Sequence, residues 1–133
     1  MLLRRNLLQL TTRRFRFNST LTDIEYHKHA DRYLDNLVEY LEEFGDQTTV
    51  DGYDVLYSSG VMTLKLGAKG TYVLNKQPPN KQIWLSSPIS GPKRFDLNGL
   101  KTKWIYSRTG ISLNSLLDDE LTQLLESKIK TPE

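Results

Sequence analysis

Cysteine is missing from all 133 residues of the chain. That single absence removes disulfide frameworks, thiolate zinc sites, iron–sulfur ligation by the chain's own thiols and cysteine nucleophiles. Any metal chemistry falls to oxygen ligands or to the two histidines. Long apolar runs are missing as well. Mean hydropathy is -0.51, and no stretch approaches the ~20 apolar residues of a membrane-spanning helix. The chain therefore reads as one soluble domain with a single modest core.

Acidic residues are absent from residues 1–20, where Arg4, Arg5, Arg13, Arg14 and Arg16 alternate with Leu, Ser and Thr. An Arg- and Leu-rich, acid-free N-terminus without a continuous apolar segment has the character of a mitochondrial presequence, removed at a point between Phe15 and Leu21. The competing reading is a basic arm for nucleic acid or membrane, which usually favours Lys or Gly over interspersed Leu. The working domain is taken as 21–133, with no nucleic-acid partner and no membrane span.

What is present is charge, sharply segregated. The formal net charge of +2 hides ten acidic residues against Lys28 and Arg32 between Asp23 and Asp54, and nine basic residues against Asp96 alone between Val55 and Leu117. Thr22 followed by Glu25 is a capping box, Leu21 and Tyr26 suit a hydrophobic staple, and Gly45 follows the last periodic residue as a C-terminal cap. Ala30, Leu34, Leu37, Leu41 and Phe44 between them trace one apolar stripe, which predicts a helix over about 22–44. Six short β-rich runs follow, near 52–57, 61–66, 71–76, 82–87, 94–97 and 103–107, separated by Gly, Pro, Ser and Asn. They lie too close together for crossover helices, so they are expected to pair as antiparallel hairpins. A second helix begins with Ser112 as N-cap and carries Leu113 through Ile129. The expected fold is α+β: a two-layer α/β sandwich with two terminal helices packed on one face of an antiparallel sheet of about six strands.

Two surface features stand out. At 100° per residue, Asp31, Asp35, Glu39, Glu42, Glu43 and Asp46 fall within about 120° of one another, opposite the apolar stripe. Like charges four residues apart oppose the helix by roughly 0.2–0.5 kcal/mol each. A solvated face is the plain reading. The alternative is a shallow, weak site for a hard or ferrous cation, or for a basic partner, to which His27 and His29 could add a ligand. The second feature is Trp84. Period 2 places Ile83 and Leu85 on one face of their strand and Gln82, Trp84 and Ser86 on the other. If Tyr72 and Leu74 face the helices, Trp84 stands on the open face among Asn75, Gln77 and Gln82, with Arg94 near enough to complete an interface. Covered sheet faces, with Trp84 in a core, form the alternative. Trp104, with Tyr106, is expected to be core.

The stretch GTYVLNKQPPNKQIWLSSPISGPKRFD, Gly70 to Asp96, together with Val61 to Leu64 and the acidic first helix, closely resembles the frataxin family, the fungal members most of all. The resemblance implies a mitochondrial matrix protein that binds iron weakly and promotes iron–sulfur cluster assembly on a complex of cysteine desulfurase and scaffold protein. It further implies iron donation for haem synthesis, with ferrochelatase as partner, and a monomer that forms iron-dependent oligomers. The enzymatic alternative is a ferroxidase and iron-storage oligomer that oxidises ferrous iron. By position, Asp31, Asp35, Glu39, Glu42, Glu43 and Asp46 match the family's iron-binding ridge, while Asn75, Lys76, Gln77, Gln82, Trp84 and Arg94 match its partner surface. Four departures carry expectations of their own. Lys28 and Arg32 fall inside the ridge and should weaken iron binding or pair with Asp35 and Glu25. Val50 thins the ridge in the loop after the helix. The turn from Leu100 to Lys103 is longer by about two residues. The chain stops soon after the second helix, which predicts little cover between the helices and modest stability.

Overall fold

A computed structural model describes residues 21–133; the presequence reading of 1–20 lies outside them. Helix α1 runs Asp23–Gly45. Strands β1 (Tyr53–Ser58), β2 (Val61–Leu66), β3 (Thr71–Gln77), β4 (Gln82–Ser87), β5 (Gly91–Leu97) and β6 (Trp104–Tyr106) follow, then helix α2 (Leu113–Leu125). The strands form one antiparallel meander in the order β1-β2-β3-β4-β5-β6. No helix among the described residues is long and apolar enough to cross a membrane.

Register makes the two faces of the sheet different. Met62, Leu74 and Leu85 stand in one row and Leu64 pairs with Tyr72, while Ile83 pairs with Phe95. All are buried, in one cluster with Tyr26, Ala30, Leu34, Leu37 and Leu41 of α1 and Leu113, Leu117 and Leu121 of α2. The two helices and the sheet thus solve each other's burial problem, as the alternating and 3.6-residue patterns require. Trp104 joins this core, with Tyr106 half-buried beside Phe95.

The caps differ from expectation in instructive ways. The Thr22 hydroxyl accepts from the Glu25 amide at 3.1 Å, but the Glu25 carboxylate is ion-paired to Lys101. Lys101 reaches it because the long β5–β6 turn is tied by Asn98, whose side-chain oxygen accepts from the amides of Thr102 (2.8 Å) and Lys103 (3.1 Å). At the other end Gly45 is the last helical residue and Asp46 the cap. A Cβ on Gly45 would stand 2.7 Å from the Tyr53 ring, and the Tyr53 hydroxyl donates to the Leu41 carbonyl at 2.6 Å. Gly45 is required there for close packing rather than for a left-handed cap.

The end of α2 brings a correction. Glu126 turns the chain through a left-handed conformation, so Ile129 is not helical. It is nonetheless buried, and residues 129–133 lie back over the helices. Asn114 donates to Thr131 and Pro132, the Thr131 amide and hydroxyl donate to Asp118 at 2.8 and 2.7 Å, and the Lys130 amide donates to the Tyr40 hydroxyl. The short tail covers the gap that the sequence reading left open.

Gly67, after β2, has φ +59, and an added Cβ would fall 2.1 Å from the Asp51 carbonyl oxygen. Backbone cannot yield there as a flexible side chain can. Gly67→Ala is expected to cost about 2 kcal/mol or more, read as a lower urea midpoint at unchanged m-value.

Candidate functional site

The open face of the sheet is organised by two adjacent rows. Val61, Asn75, Trp84 and Arg94 lie side by side across β2 to β5, and Gln77, Gln82, Asp96 and Ile105 form the next row across β3 to β6. Arg94 lies over the Trp84 ring at 4.5 Å from its centroid. The indole N–H donates to the Gln82 side-chain oxygen at 2.9 Å, and the Gln82 amide donates to Asp96 at 3.1 Å. Each group therefore holds the next, and a half-exposed indole is fixed in orientation by an exposed cation and two hydrogen bonds. A groove of 770 Å³ runs along this face past Trp84 and Arg94 to Tyr106 and Arg108. Apolar area with few, fixed polar groups is what an interface anchor needs.

Helix α1 sets the position of this platform from behind. The Tyr26 hydroxyl donates to the Gln82 carbonyl at 2.6 Å and accepts from the Gln77 amide at 3.0 Å, pinning the ends of β3 and β4 together. Burial pushes the Tyr26 phenol up to about 12. The β4–β5 hairpin is held at its far end by Glu120 of α2, which accepts from Tyr72, Ser87 and Ser90.

Of the residues expected at the partner surface, Asn75, Gln77, Gln82, Trp84 and Arg94 share the open face. Lys76 does not. Its register partner is Ile83, on the helix side, and its ammonium meets Asp31 of α1 at 2.5 Å with only 13% of the side chain exposed. Period 2 along Tyr72, Leu74 and Lys76 carries the signal. Asp96, which the sequence reading left out of the platform, was legible by the same rule as the residue two after Arg94. Arg108 was not, since it enters from a loop.

The acidic residues do form one ridge. Asp35, Glu39, Glu42, Glu43 and Asp46 are exposed, and Asp31 is half-exposed and already paired. Burial, then the charges of Asp35 and Asp31, push up the Tyr57 phenol, so the ridge field reaches edge strand β1. Among the described residues no three His, Asp or Glu side chains converge to hold an ion. The ridge is an open array whose oxygens suit weak, exchangeable capture of a hard cation. Among the described residues neither Lys28 nor Arg32 comes within 4.0 Å of a carboxylate, so the expected pairs with Asp35 and Glu25 are not formed. His27 packs edge-on to Tyr26, and His29 faces a cavity with Arg32 and Tyr33.

Comparison with known proteins now decides the family. The model of the frataxin-like domain matches residues 19–127. The chain belongs to the frataxin family. Frataxin, mitochondrial, of Arabidopsis thaliana is 46% identical over 129 residues, covering 91% of this chain and 69% of that protein. The mitochondrial frataxin homologue of Saccharomyces cerevisiae is 50% identical over 101 residues, 76% of this chain and 57% of that one. A crystal structure of the trimeric Saccharomyces cerevisiae frataxin in a ferrous complex superposes with TM-score 0.65 at 50% identity, over 74% of this chain and 87% of that one. Frataxin from Psychromonas ingrahamii, at 24% identity and TM-score 0.68, shares the fold over 84% of this chain and 99% of its own.

Proposed function

We propose that this frataxin carries ferrous iron loosely on the α1 ridge and activates iron–sulfur cluster assembly by docking its open sheet face on a complex of cysteine desulfurase and scaffold protein in the mitochondrial matrix. The observation that carries the reading is the Trp84 platform, an oriented indole under Arg94 held among Asn75, Gln82 and Asp96 on the solvent-facing side of the sheet. Iron is cargo in this scheme. Asp35, Glu39, Glu42, Glu43 and Asp46 supply oxygens without a closed cage, which favours capture and release over retention or oxidation in place. The relatives' mitochondrial names and the ferrous complex of the yeast protein support the compartment and the cargo. Without a cysteine the chain cannot carry persulfide, so sulfur stays on the partners and the protein acts by repositioning their groups. Residues 1–20 are the import address in this reading, and the same loosely held iron is available for donation to ferrochelatase.

Desulfurase-coupled cluster formation tests it. Trp84→Ala is expected to weaken docking by about 30-fold and Arg94→Ala by about tenfold, since aromatic and Arg anchors dominate such interfaces. A combined Asp35→Asn, Glu39→Gln, Glu43→Gln variant should dock normally but lose ferrous binding by calorimetry. Wild-type rates in both Trp84→Ala and Arg94→Ala would sink the docking assignment.

A further inference from the structure

Strand β1 is an outer edge of the sheet, and little in it discourages pairing. Natural edge strands are kept apart by Lys, Pro, a bulge or short length. Tyr53–Ser58 is six residues long, pairs with β2 without a bulge and holds one charged residue, Asp54. It also carries Leu56, 47% exposed on the open face, with Val61 of β2, 41% exposed, as its diagonal neighbour.

Register decides which backbone groups of β1 are free. The Leu66 amide donates to the Gly70 carbonyl and the Lys76 amide to the Gly60 carbonyl, both at 2.9 Å, so Gly60, Met62, Leu64 and Leu66 turn their backbone groups to β3. Val61, Thr63 and Lys65 therefore bond to Ser58, Leu56 and Asp54, and the N–H and C=O of Val55 and Tyr57 point away from the sheet. Among the described residues neither has a partner there. A second copy of the same strand supplies one. With a two-fold axis through Leu56, Val55 of each copy exchanges both backbone bonds with Tyr57 of the other, an aromatic against a β-branched side chain, while Asp54 faces Ser58. The two Leu56 side chains then meet in a non-hydrogen-bonded pair, where Cα atoms stand about 4.5 Å apart. An axis at Val55 would set Asp54 against Leu56, and one at Tyr57 would run Val55 onto Ser59 in the hairpin turn. Of the three, the Leu56 axis uses both free residues, covers the leucine and opposes no like charges within the strands.

We propose that the β1 edge is an interface for a second copy of this chain, the two joining edge to edge, antiparallel about Leu56, into one continuous sheet. The contact is small beside the ~1,600 Å² of a standard interface, which makes the dimer weak, with Kd on the order of 100 µM. It leaves the Trp84 platform open, since β4 lies three strands further in. The helices of both copies lie on one side of the joined sheet, and the acidic ridge reaches over β1, where Asp35 and Asp31 act on the Tyr57 phenol. The two ridges therefore face each other across the axis, and salt that screens them strengthens the dimer.

Sedimentation of the full chain from about 10 µM to about 1 mM tests the interface, and the absence of native cysteine allows a clean cross-linking arm. The average mass is expected to rise with concentration toward that of two chains, and to rise further when NaCl goes from about 0.05 to about 0.5 M. Leu56→Lys, at an exposed position, should stay monomeric over the whole range, because it sets two ammonium groups against each other on the axis. In a glutathione redox buffer Leu56→Cys is expected to form a disulfide-linked dimer at least about tenfold faster than Val61→Cys, whose exposure is similar but which lies one strand further in. A chain still monomeric at the top of the concentration range, a dimer unchanged by Leu56→Lys or weakened by salt, or equal cross-linking at the two positions would each overturn the assignment.

Discussion

Removing residues 129–133 is expected to lower the thermal midpoint by roughly 15–25 °C. The tail is short, but it does three things at once. Ile129 is 3% exposed and closes the core cluster between the helices, and burial of such a side chain is worth about 1.5–3 kcal/mol. Asn114, itself buried, spends its amide donors on Thr131 and Pro132. Asp118 accepts two hydrogen bonds from Thr131. Losing the partners of a buried amide and a half-buried carboxylate costs about 1–3 kcal/mol each, less where water can follow. The sum, about 4–6 kcal/mol, is a large share of the 5–15 kcal/mol that a domain of this kind possesses. Ile129→Ala alone should account for about 2–4 kcal/mol of it. Calorimetric scans of the two variants check the claim; a truncated protein melting within about 5 °C of the full chain would show that the tail is an ornament.

That result also bears on how far the sequence could be read. By helical spacing Ile129 reads as one more position of α2, which leaves too few residues beyond it to cover the helices. Nothing in a 3.6-residue pattern announces that Glu126 will adopt a left-handed turn and send Ile129 and Thr131 back across the bundle. Local rules succeeded where one element decides the matter. Thr22 caps α1, Ser112 caps α2, and strict alternation in β4 puts Trp84 outward and Ile83 and Leu85 inward. They failed where two elements meet. Gly45 reads as a cap until the Tyr53 ring is seen against it, and Glu25 as a capping-box acceptor until Lys101 arrives from a turn 76 residues away. Lys76 is the instructive case at the site: the family's partner surface is contiguous in sequence there, whereas the period of 2 that turns Trp84 outward turns Lys76 toward α1. The six carboxylates of the ridge were legible as one face because a single helix displays them. Asp31's engagement with Lys76 was not, because that pair joins the helix to the sheet.

The second large effect is alkaline unfolding, expected to complete near pH 11–12 and to be cooperative. Tyr26, Tyr33 and Tyr72 are buried, and burial pushes all three phenols up, Tyr26 to about 12 and the others further. Tyr72 is raised again by Glu120, whose carboxylate accepts its hydroxyl at 2.9 Å and would repel a phenolate. In the unfolded chain the same groups titrate near pH 10. Below that pH both states hold the protons, and the tyrosines leave stability unchanged with pH. Above it the unfolded state releases protons that the folded state keeps, so stability falls as pH rises toward the folded-state values. Each such group contributes a slope of about 1.4 kcal/mol per pH unit, and three together roughly 4 kcal/mol per unit. Burial also pushes up Tyr53, whose hydroxyl donates to the Leu41 carbonyl, and Tyr57, so both add to the slope in the same direction. Phenolate absorbance and far-UV dichroism should therefore change together in one transition. Seven phenols ionising near pH 10 while the dichroism stays native would mean that the hydroxyls of Tyr26 and Tyr72 are not locked to Gln82 and Glu120 as the structure has them.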